Sequence, residues 1–511
     1  MVALGVLQTP GRQETRARFR HSSAPPAIVL GLTTVVFVAT GSWIPSLWGD
    51  EAASVLSAER SLPSLFRMLG HVDAVHGTYY VLLHFWVGLF GPSPFSVRLP
   101  SAFAAGITVA GVVVLATRLS GRRAGILAGI VCLVLPRLTY MGAEARGYAL
   151  SAACVTWLTI LLVAVLTSER PRTRLWVLYA FGLAVCGYVF LFSLLIVVPH
   201  AATVLALKHR GPWRSWLKAA AGGIVLTAPV IGYGIAESGQ IGFLAHRHAT
   251  TFITTTVTPW FGNPVLAVLG WALVASAAVV ACVGWRRARR VVGPHRERPE
   301  GAAVPSLVVL SLVWLLAPAA ILIAVDSIHA IYSSRYLSFA TPSAALLIGW
   351  LLSRAHRWWV AAAALVAIAL AAAPSYVAQR TAFAQNESDW AVVAAVIHAH
   401  ASPGDGVLFD EAARPSRRPR LAMRMYPAGF AGLEDVALRS PFWMTDVWHD
   451  SVYPLASVGL RLGGIHTVWL VELHWPGEKA ARYDLGTLSR LGYSEVHRYE
   501  EHSDDIIELT R

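Results

Sequence analysis

The sequence predicts a polytopic α-helical membrane protein of about eleven transmembrane helices followed by a small α/β domain, and three observations predict it. Of 511 residues, 55% are hydrophobic and 14% charged, and the mean hydropathy is +0.54. A soluble chain carries about 25% charged residues. The apolar residues come in blocks long enough to cross a bilayer, such as "AIVLGLTTVVFVATGSWI" from Ala27. Finally, the clusters "GRQETRARFRH", "RLSGRR", "SERPRTR", "KHRGPWRSWLK", "WRRARRVVGPHRER" and "RAHR" alternate with pairs of apolar blocks. That alternation assigns the net charge of +13 to the positive-inside pattern, and no nucleic-acid partner is expected.

With every basic cluster inside, the spans run roughly 27–45, 97–117, 124–140, 147–167, 174–189, 191–207, 216–236, 262–284, 304–325, 336–353 and 359–376. The fifth and sixth are short, at about 16 residues each. The first block follows a basic, polar segment (1–26) without a small-residue cleavage site and reads as a retained anchor. "GTYYVLLHFWVGLFG" (77–91) is too short to span and contains His84, so it reads as an interfacial helix inside a long outer loop, 46–96. The membrane domain is therefore 27–376.

The tail, 377–511, changes character. "ESDWAVVAAVIHAHASPGD" and "GEKAARYDLGTLSRLG" have helical periodicity, whereas "GVLFD", "IHTVWLVEL" and "DDIIELT" read as strands. Alternating strands and helices predict an α/β domain on the outer side. Cys132, Cys154, Cys186 and Cys282 all fall in apolar blocks, which gives no disulfide or zinc pattern. No glycine-rich phosphate loop supports an ATP-driven pump.

Polar residues at the outer ends of the spans carry the functional signal, because charge is costly there unless paired or facing a wet cavity. They are Asp50, Glu51, Asp73, His76, Arg98, Arg137, Glu144, Arg146, Asp326, His329 and Arg335. Asp50 and Glu51, in "WGDEAASVL", point about 100° apart on a helix. One can face a cavity while the other caps, pairs or supports it, and an acidic N-cap explains only one of the two. Arg98, Arg146 and Arg335 each begin an outer span end, against the inside bias. Guanidinium groups there suit a phosphate. Together they point to group transfer from a lipid phosphate, with a carboxylate as general base and arginines on the departing phosphate.

"WGDEA", "VHGTYYVLLHFWVGLFG", "VRLPSA", "GRRAGILAG", "EARGYAL" and "SRYLSFATP" occur in an order that resembles bacterial glycosyltransferase family 39. These GT-C enzymes are related to protein O-mannosyltransferases and aminoarabinose transferases. The resemblance spans 27–376 and is most specific over 46–150, and "ESDWAVVAAVIHAHASPGDGVLFD" is similar to the outer domain of actinobacterial members. It implies a GT-C fold and inverting transfer of a hexose, foremost mannose, from a polyprenyl-phosphate donor. Carried over by motif, Asp50 is the catalytic base and Glu51 its paired acid. Arg98, Arg146 and Arg335 meet the donor phosphate. His76, Asp73, Glu144, Arg137, Tyr148 and Tyr336 are the remaining candidates for the substrate cavity. Two departures stand out: "HGT" replaces the family's "HPP"-type motif at His76, and "CGYVFLFS" (186–193) lacks a histidine that many relatives carry. No metal is expected to be required. If a divalent ion is used, the carboxylates Asp50, Glu51 and Glu144 are the place for it.

A flippase or transporter of lipid-linked sugars would also need outer arginines, but should carry polar or broken segments at midmembrane, whereas these charges stay at span ends. A non-catalytic envelope scaffold leaves the paired carboxylates unexplained. The expectation is thus a multi-pass glycosyltransferase of the cytoplasmic membrane. Its partners are the bilayer, a polyprenyl-phosphate sugar and a hydroxyl on a glycan, glycolipid or protein.

Overall fold

The computed structural model describes residues 23–168, 173–207, 212–240, 242, 250–292, 305–474 and 483–511. The amino-terminal basic cluster, parts of those near 170, 210 and 295, most of 241–249 and the start of the "GEKAARYDLG" helix lie outside the described residues.

Helices occur at all eleven positions expected of spans. Six are long and apolar enough to cross a membrane singly: Pro94–Ser120, Tyr148–Leu166, Pro264–Arg287, Leu307–Asp326, Ser334–Ser353 and Trp358–Ala378. Two more are bent pairs, Arg122–Val134 with Pro136–Gly142 (63°) and Trp213–Leu226 with Ala228–Ala236 (50°), bringing the count by length to eight. Each break precedes a helix with proline in its first turn. Proline lacks the N–H that would continue the ladder and pushes the residue before it out of helical geometry, as at Leu135 (φ −62°, ψ 126°). The other three, Ala24–Ala39, Thr173–Val189 and Leu191–Ala206, are shorter apolar helices. At 1.5 Å per residue, 16 residues reach about 24 Å, below a hydrocarbon core of about 30 Å.

Small residues bring the helices together. Gly31 and Gly106 cross so closely that a Cβ on Gly106 would lie 2.7 Å from the Gly31 carbonyl oxygen. Such approaches replace the hydrophobic drive that helices lack in lipid. On the opposite faces, Ile28, Leu32, Val36, Phe181, Val268 and Leu370 are exposed, as suits contact with acyl chains.

The segment between the first two long helices folds into the helices Gly49–Ala58, Leu62–Leu69 and Gly77–Phe90. The last of these is the short aromatic block expected to lie at the interface.

Among the described residues the strands are β1 (Gly406–Phe409), β2 (Glu434–Asp435), β3 (Leu438–Ser440), β4 (Ser451–Val452), β5 (Thr467–Leu473), β6 (Ser494–Glu500) and β7 (Asp504–Thr510). Five form one sheet in the order β2-β1-β5-β7-β6, with β1 parallel to β2 and β5, and β7 antiparallel to β5 and β6. β6 is not legible in its sequence, "SEVHRYE", which is polar because the strand lies exposed at the edge of the sheet. Alternate residues face opposite sides. Val407, Phe409, Trp469, Val471 and Ile506 pack with the Trp390–His400 helix, while Leu408, Val468, Leu470, Ile507 and Leu509 pack with Leu488 of the Tyr483–Arg490 helix. The first face shares its core with Leu47, Ala52, Val55, Leu56, Leu65, Tyr79 and Tyr80. The sheet is therefore packed onto the 46–96 segment.

Candidate active site

The Gly49–Ala58 helix positions the acidic pair. Trp48 precedes it in extended geometry (φ −129°, ψ 175°), and Asp50 and Glu51 occupy its first turn, where the helix dipole favours negative charge. Neither carboxylate is the N-cap. All ten residues except Asp50 are buried.

The two carboxylates diverge. Glu51, 0% exposed, forms a forked ion pair with Arg98, from Nε to Oε1 at 2.7 Å and from Nη2 to Oε2 at 2.5 Å. Its Oε1 also accepts the Ala145 N–H at 2.9 Å. Arg98 donates its remaining N–H groups to the carbonyls of Ser42 (2.6 Å), Pro45 (2.9 Å) and Ser46 (3.1 Å). All five guanidinium donors are used. The expectation that Arg98 holds a donor phosphate is therefore corrected: with every donor spent on protein, it braces the helix instead. Glu51, fully buried against Arg98 and the Ala145 N–H, does not line the cavity that Asp50 faces.

Asp50 faces a cavity of about 560 Å³ between the loop ends of the helices and the α/β region. Asp73, His76, Arg146, Tyr148, Arg335 and Tyr336 line the same cavity. Arg335 donates from Nη1 to Asp50 Oδ2 at 2.7 Å and lies over the Trp48 ring at 4.9 Å. Arg146 donates to the Asp50 carbonyl (3.3 Å), Ser54 Oγ (3.4 Å) and the Tyr80 hydroxyl (3.2 Å). Its other terminal nitrogen lies 3.0 Å from His76 Nε2. Since a guanidinium can only donate, His76 accepts there and is neutral. Burial, then Arg146, hold its pKa well below the ordinary histidine range. Burial pulls the Asp50 carboxyl upward, but Arg335 and Arg146 outweigh it and keep the group below its usual range. Asp73, left-handed at φ 59°, accepts from the Tyr80 hydroxyl at 3.0 Å, and burial raises its pKa.

Glu144 and Arg137 do not line the cavity. Glu144 is fully buried 3.5 Å behind Arg335, with both carboxylate oxygens lacking a hydrogen bond, and burial pushes its pKa up to about 7. Arg137 is buried near it, over the Tyr140 ring at 5.5 Å. Their assignment as cavity residues is corrected to a layer behind the cavity. Asp326 is spent on the Ile331 and Tyr332 N–H groups (2.9 and 2.7 Å) and the Thr250 hydroxyl (2.9 Å), and His329 is exposed. Among the described residues, no three His, Cys, Asp or Glu side chains are grouped to hold a metal.

Because a raised carboxyl pKa favours the folded state only while the group is protonated, Glu144 stabilises least at high pH. The thermal midpoint of the wild-type protein is expected to fall as pH rises from about 4.5 through about 7. Glu144→Gln should remove a component on the order of a few kcal/mol from that fall. A pH series of melting curves in detergent checks it, and parallel curves for the two proteins would refute it.

Sequence reasoning missed the far wall. Arg414, Pro415, Ser416, Val447, Trp448 and His449 come from the α/β region, and Glu237 and Gln240 from the segment before 241. Glu237 and Gln240 accept the backbone N–H groups of Ala74 (3.1 Å) and Asp73 (3.4 Å), fixing the turn that carries His76. Only the basic run "ARPSRRPR" marked the α/β wall in the sequence, and charge runs are usually solvated faces. The junction is tight: a Cβ on Gly49 would lie 1.8 Å from the Ser416 carbonyl oxygen. Gly49→Ala should therefore cost about 1–3 kcal/mol by overpacking. Limited proteolysis near Ser416 should quicken, and an unchanged cleavage rate would contradict that contact.

Residues 78–233 match the family described as dolichyl-phosphate-mannose-protein mannosyltransferase. The fold resembles that of ArnT from Cupriavidus metallidurans bound to undecaprenyl phosphate, at a TM-score of 0.57 and 14% identity, covering 94% of this chain and 97% of that one. The apo state of ArnT gives the same score and identity, covering 95% and 98%. The oligosaccharyltransferase AglB from Archaeoglobus fulgidus, in complex with an inhibitory peptide and a dolichol-phosphate, aligns at 0.44 and 11% identity, over 86% and 69%. No curated protein sequence matches.

Proposed function

We propose that this chain, GT-C in fold and matching the dolichyl-phosphate-mannose-protein mannosyltransferases over residues 78–233, is a membrane glycosyltransferase using a polyprenyl-phosphate sugar. The observation that carries the reading is Asp50 in a cavity with Arg146 and Arg335. Both guanidinium groups line the cavity beside Asp50, and their forked, permanently charged donors suit a phosphate.

Asp50 takes the proton of an acceptor hydroxyl as its oxygen bonds to the anomeric carbon. The bond from that carbon to the phosphate oxygen breaks, and the electron pair leaves on polyprenyl phosphate. Charge grows on the phosphate as it departs, so Arg335 and Arg146 act most strongly in the transition state. Displacement from the face opposite the phosphate inverts the anomeric centre. Arg335 lies on Asp50 at 2.7 Å. A donor phosphate competes for that arginine and frees the carboxylate to act as base, while Glu144 at 3.5 Å keeps Arg335 in reach. Neutral His76 receives a hydrogen bond from Arg146 and orients it.

The sugar is a hexose, mannose first, and the site opens on the outer face of the cytoplasmic membrane. The family match supports the sugar, and the positive-inside clusters support the side. Membranes containing the protein are supplied with radiolabelled polyprenyl-phosphate-mannose. Label should move into a glycan, glycolipid or protein fraction. Label retained on the lipid would refute mannose, and the same result with other polyprenyl-phosphate sugars would refute transferase activity.

A further inference from the structure

A second space of about 560 Å³ lies on the α/β region, with Arg418, Arg439, Ser440 and Thr445 on its walls. Val447 and His449 line both this cleft and the cavity that holds Asp50, so the two spaces meet at these residues. The junction is built rather than incidental. Arg60, just beyond the end of the Gly49–Ala58 helix, is fully buried and donates to the carbonyls of Phe442, Val447 and, at 2.9 Å, Thr445. The helix that carries Asp50 thus holds the loop that carries His449.

We propose, on the transferase reading above, that this cleft is the acceptor subsite and takes a hydroxyl-rich glycan chain, whose reacting hydroxyl passes His449 to reach Asp50. The wall chemistry favours a glycan. Guanidinium, hydroxyl and imidazole groups match the alternating donors and acceptors of sugar hydroxyls, and exposed Arg439 lies beside the Tyr453 ring at 5.9 Å. An extended peptide that binds by strand addition needs an open sheet edge. The strands here, β3 and β4, have three and two residues and a register shift, which makes a poor edge. The volume is within the roughly 300–1,000 Å³ typical of ligand sites. His449 lies 2.9 Å, through Nδ1, from the Asp450 carbonyl, which only accepts. Nδ1 therefore carries the proton, and Nε2 keeps a lone pair to accept from a passing hydroxyl. Burial lowers its pKa, which keeps that lone pair available at neutral pH.

The test uses the full chain in lipid nanodiscs, titrated with hexasaccharides of mannose, arabinose and galacturonic acid, with a Ser/Thr-rich peptide, and with undecaprenyl phosphate. At least one hexasaccharide is expected to bind. Ser440→Trp, which fills the cleft, and Arg439→Ala, at an exposed site that tolerates truncation, should each weaken it by about tenfold or more. Undecaprenyl phosphate should bind wild type and both variants alike, because the donor cavity is untouched. Binding only by the peptide, no hexasaccharide binding, or equal hexasaccharide affinity in the variants would overturn the subsite. Failure of undecaprenyl phosphate to bind wild type would instead overturn the donor assignment, whatever the cleft does.

Discussion

Asp50→Asn is expected to lower sugar transfer by about 10²–10⁴-fold, the contribution of a well-placed general base, while the protein stays folded. The amide keeps the shape of the carboxylate but cannot take a proton. Losing the 2.7 Å contact with Arg335 should cost stability little, since Asp50 is 25% exposed and such pairs contribute about 0–1 kcal/mol. The pH dependence has a definite sign. Arg335 and Arg146 hold the Asp50 carboxyl below its ordinary range against the pull of burial. In the donor-free enzyme the base therefore stays ionised as pH falls from neutrality, and the acid limb of kcat/KM for the donor should lie below the ordinary carboxylate range. Transfer from polyprenyl-phosphate-mannose at subsaturating donor across a pH series, with melting curves on the same preparations, checks both. Near-wild-type transfer by Asp50→Asn would remove Asp50 from the role of base.

Arg98→Ala should act in the opposite way, by destabilising the fold. It leaves Glu51 buried without its counter-ion and strips the Ser42, Pro45 and Ser46 carbonyls of their donor. Breaking a buried pair from one side costs about 3–5 kcal/mol. The expected result is a large fall in the thermal midpoint, with transfer lost as the Gly49–Ala58 helix shifts. Adding Glu51→Gln should recover part of the stability, because the stranded charge is then gone. If Arg98→Ala instead left stability intact and only weakened undecaprenyl phosphate binding, the earlier expectation that Arg98 meets phosphate would be restored.

The two carboxylates show how much of the site was legible. That Asp50 and Glu51 cannot share a role follows from 100° per residue and needs no structure. Which one faces substrate depends on what lies opposite each, at Arg335 and Arg98, residues 285 and 47 positions away. The three outer arginines looked equivalent in sequence because each begins a span. In the structure, Arg98 meets a carboxylate and three carbonyls, whereas Arg146 and Arg335 keep faces on the cavity.

By itself, the sequence determined the helical bundle, because apolar blocks and basic clusters reflect a bilayer that acts on each segment separately. It also determined the main strands β1 and β5, whose burial on both faces leaves near-continuous apolar runs, and β7 around Ile506, Ile507 and Leu509. Only the tertiary structure decided which charges pair and which line the cavity, since pairing depends on contacts from 47 to 285 positions apart. It also brought the α/β region down onto the Gly49–Ala58 helix through Gly49 and Arg60. Neither residue carries a signal of that packing. A glycine is recognised as a close approach only when its neighbour is known, and a buried arginine only when its carbonyl partners are.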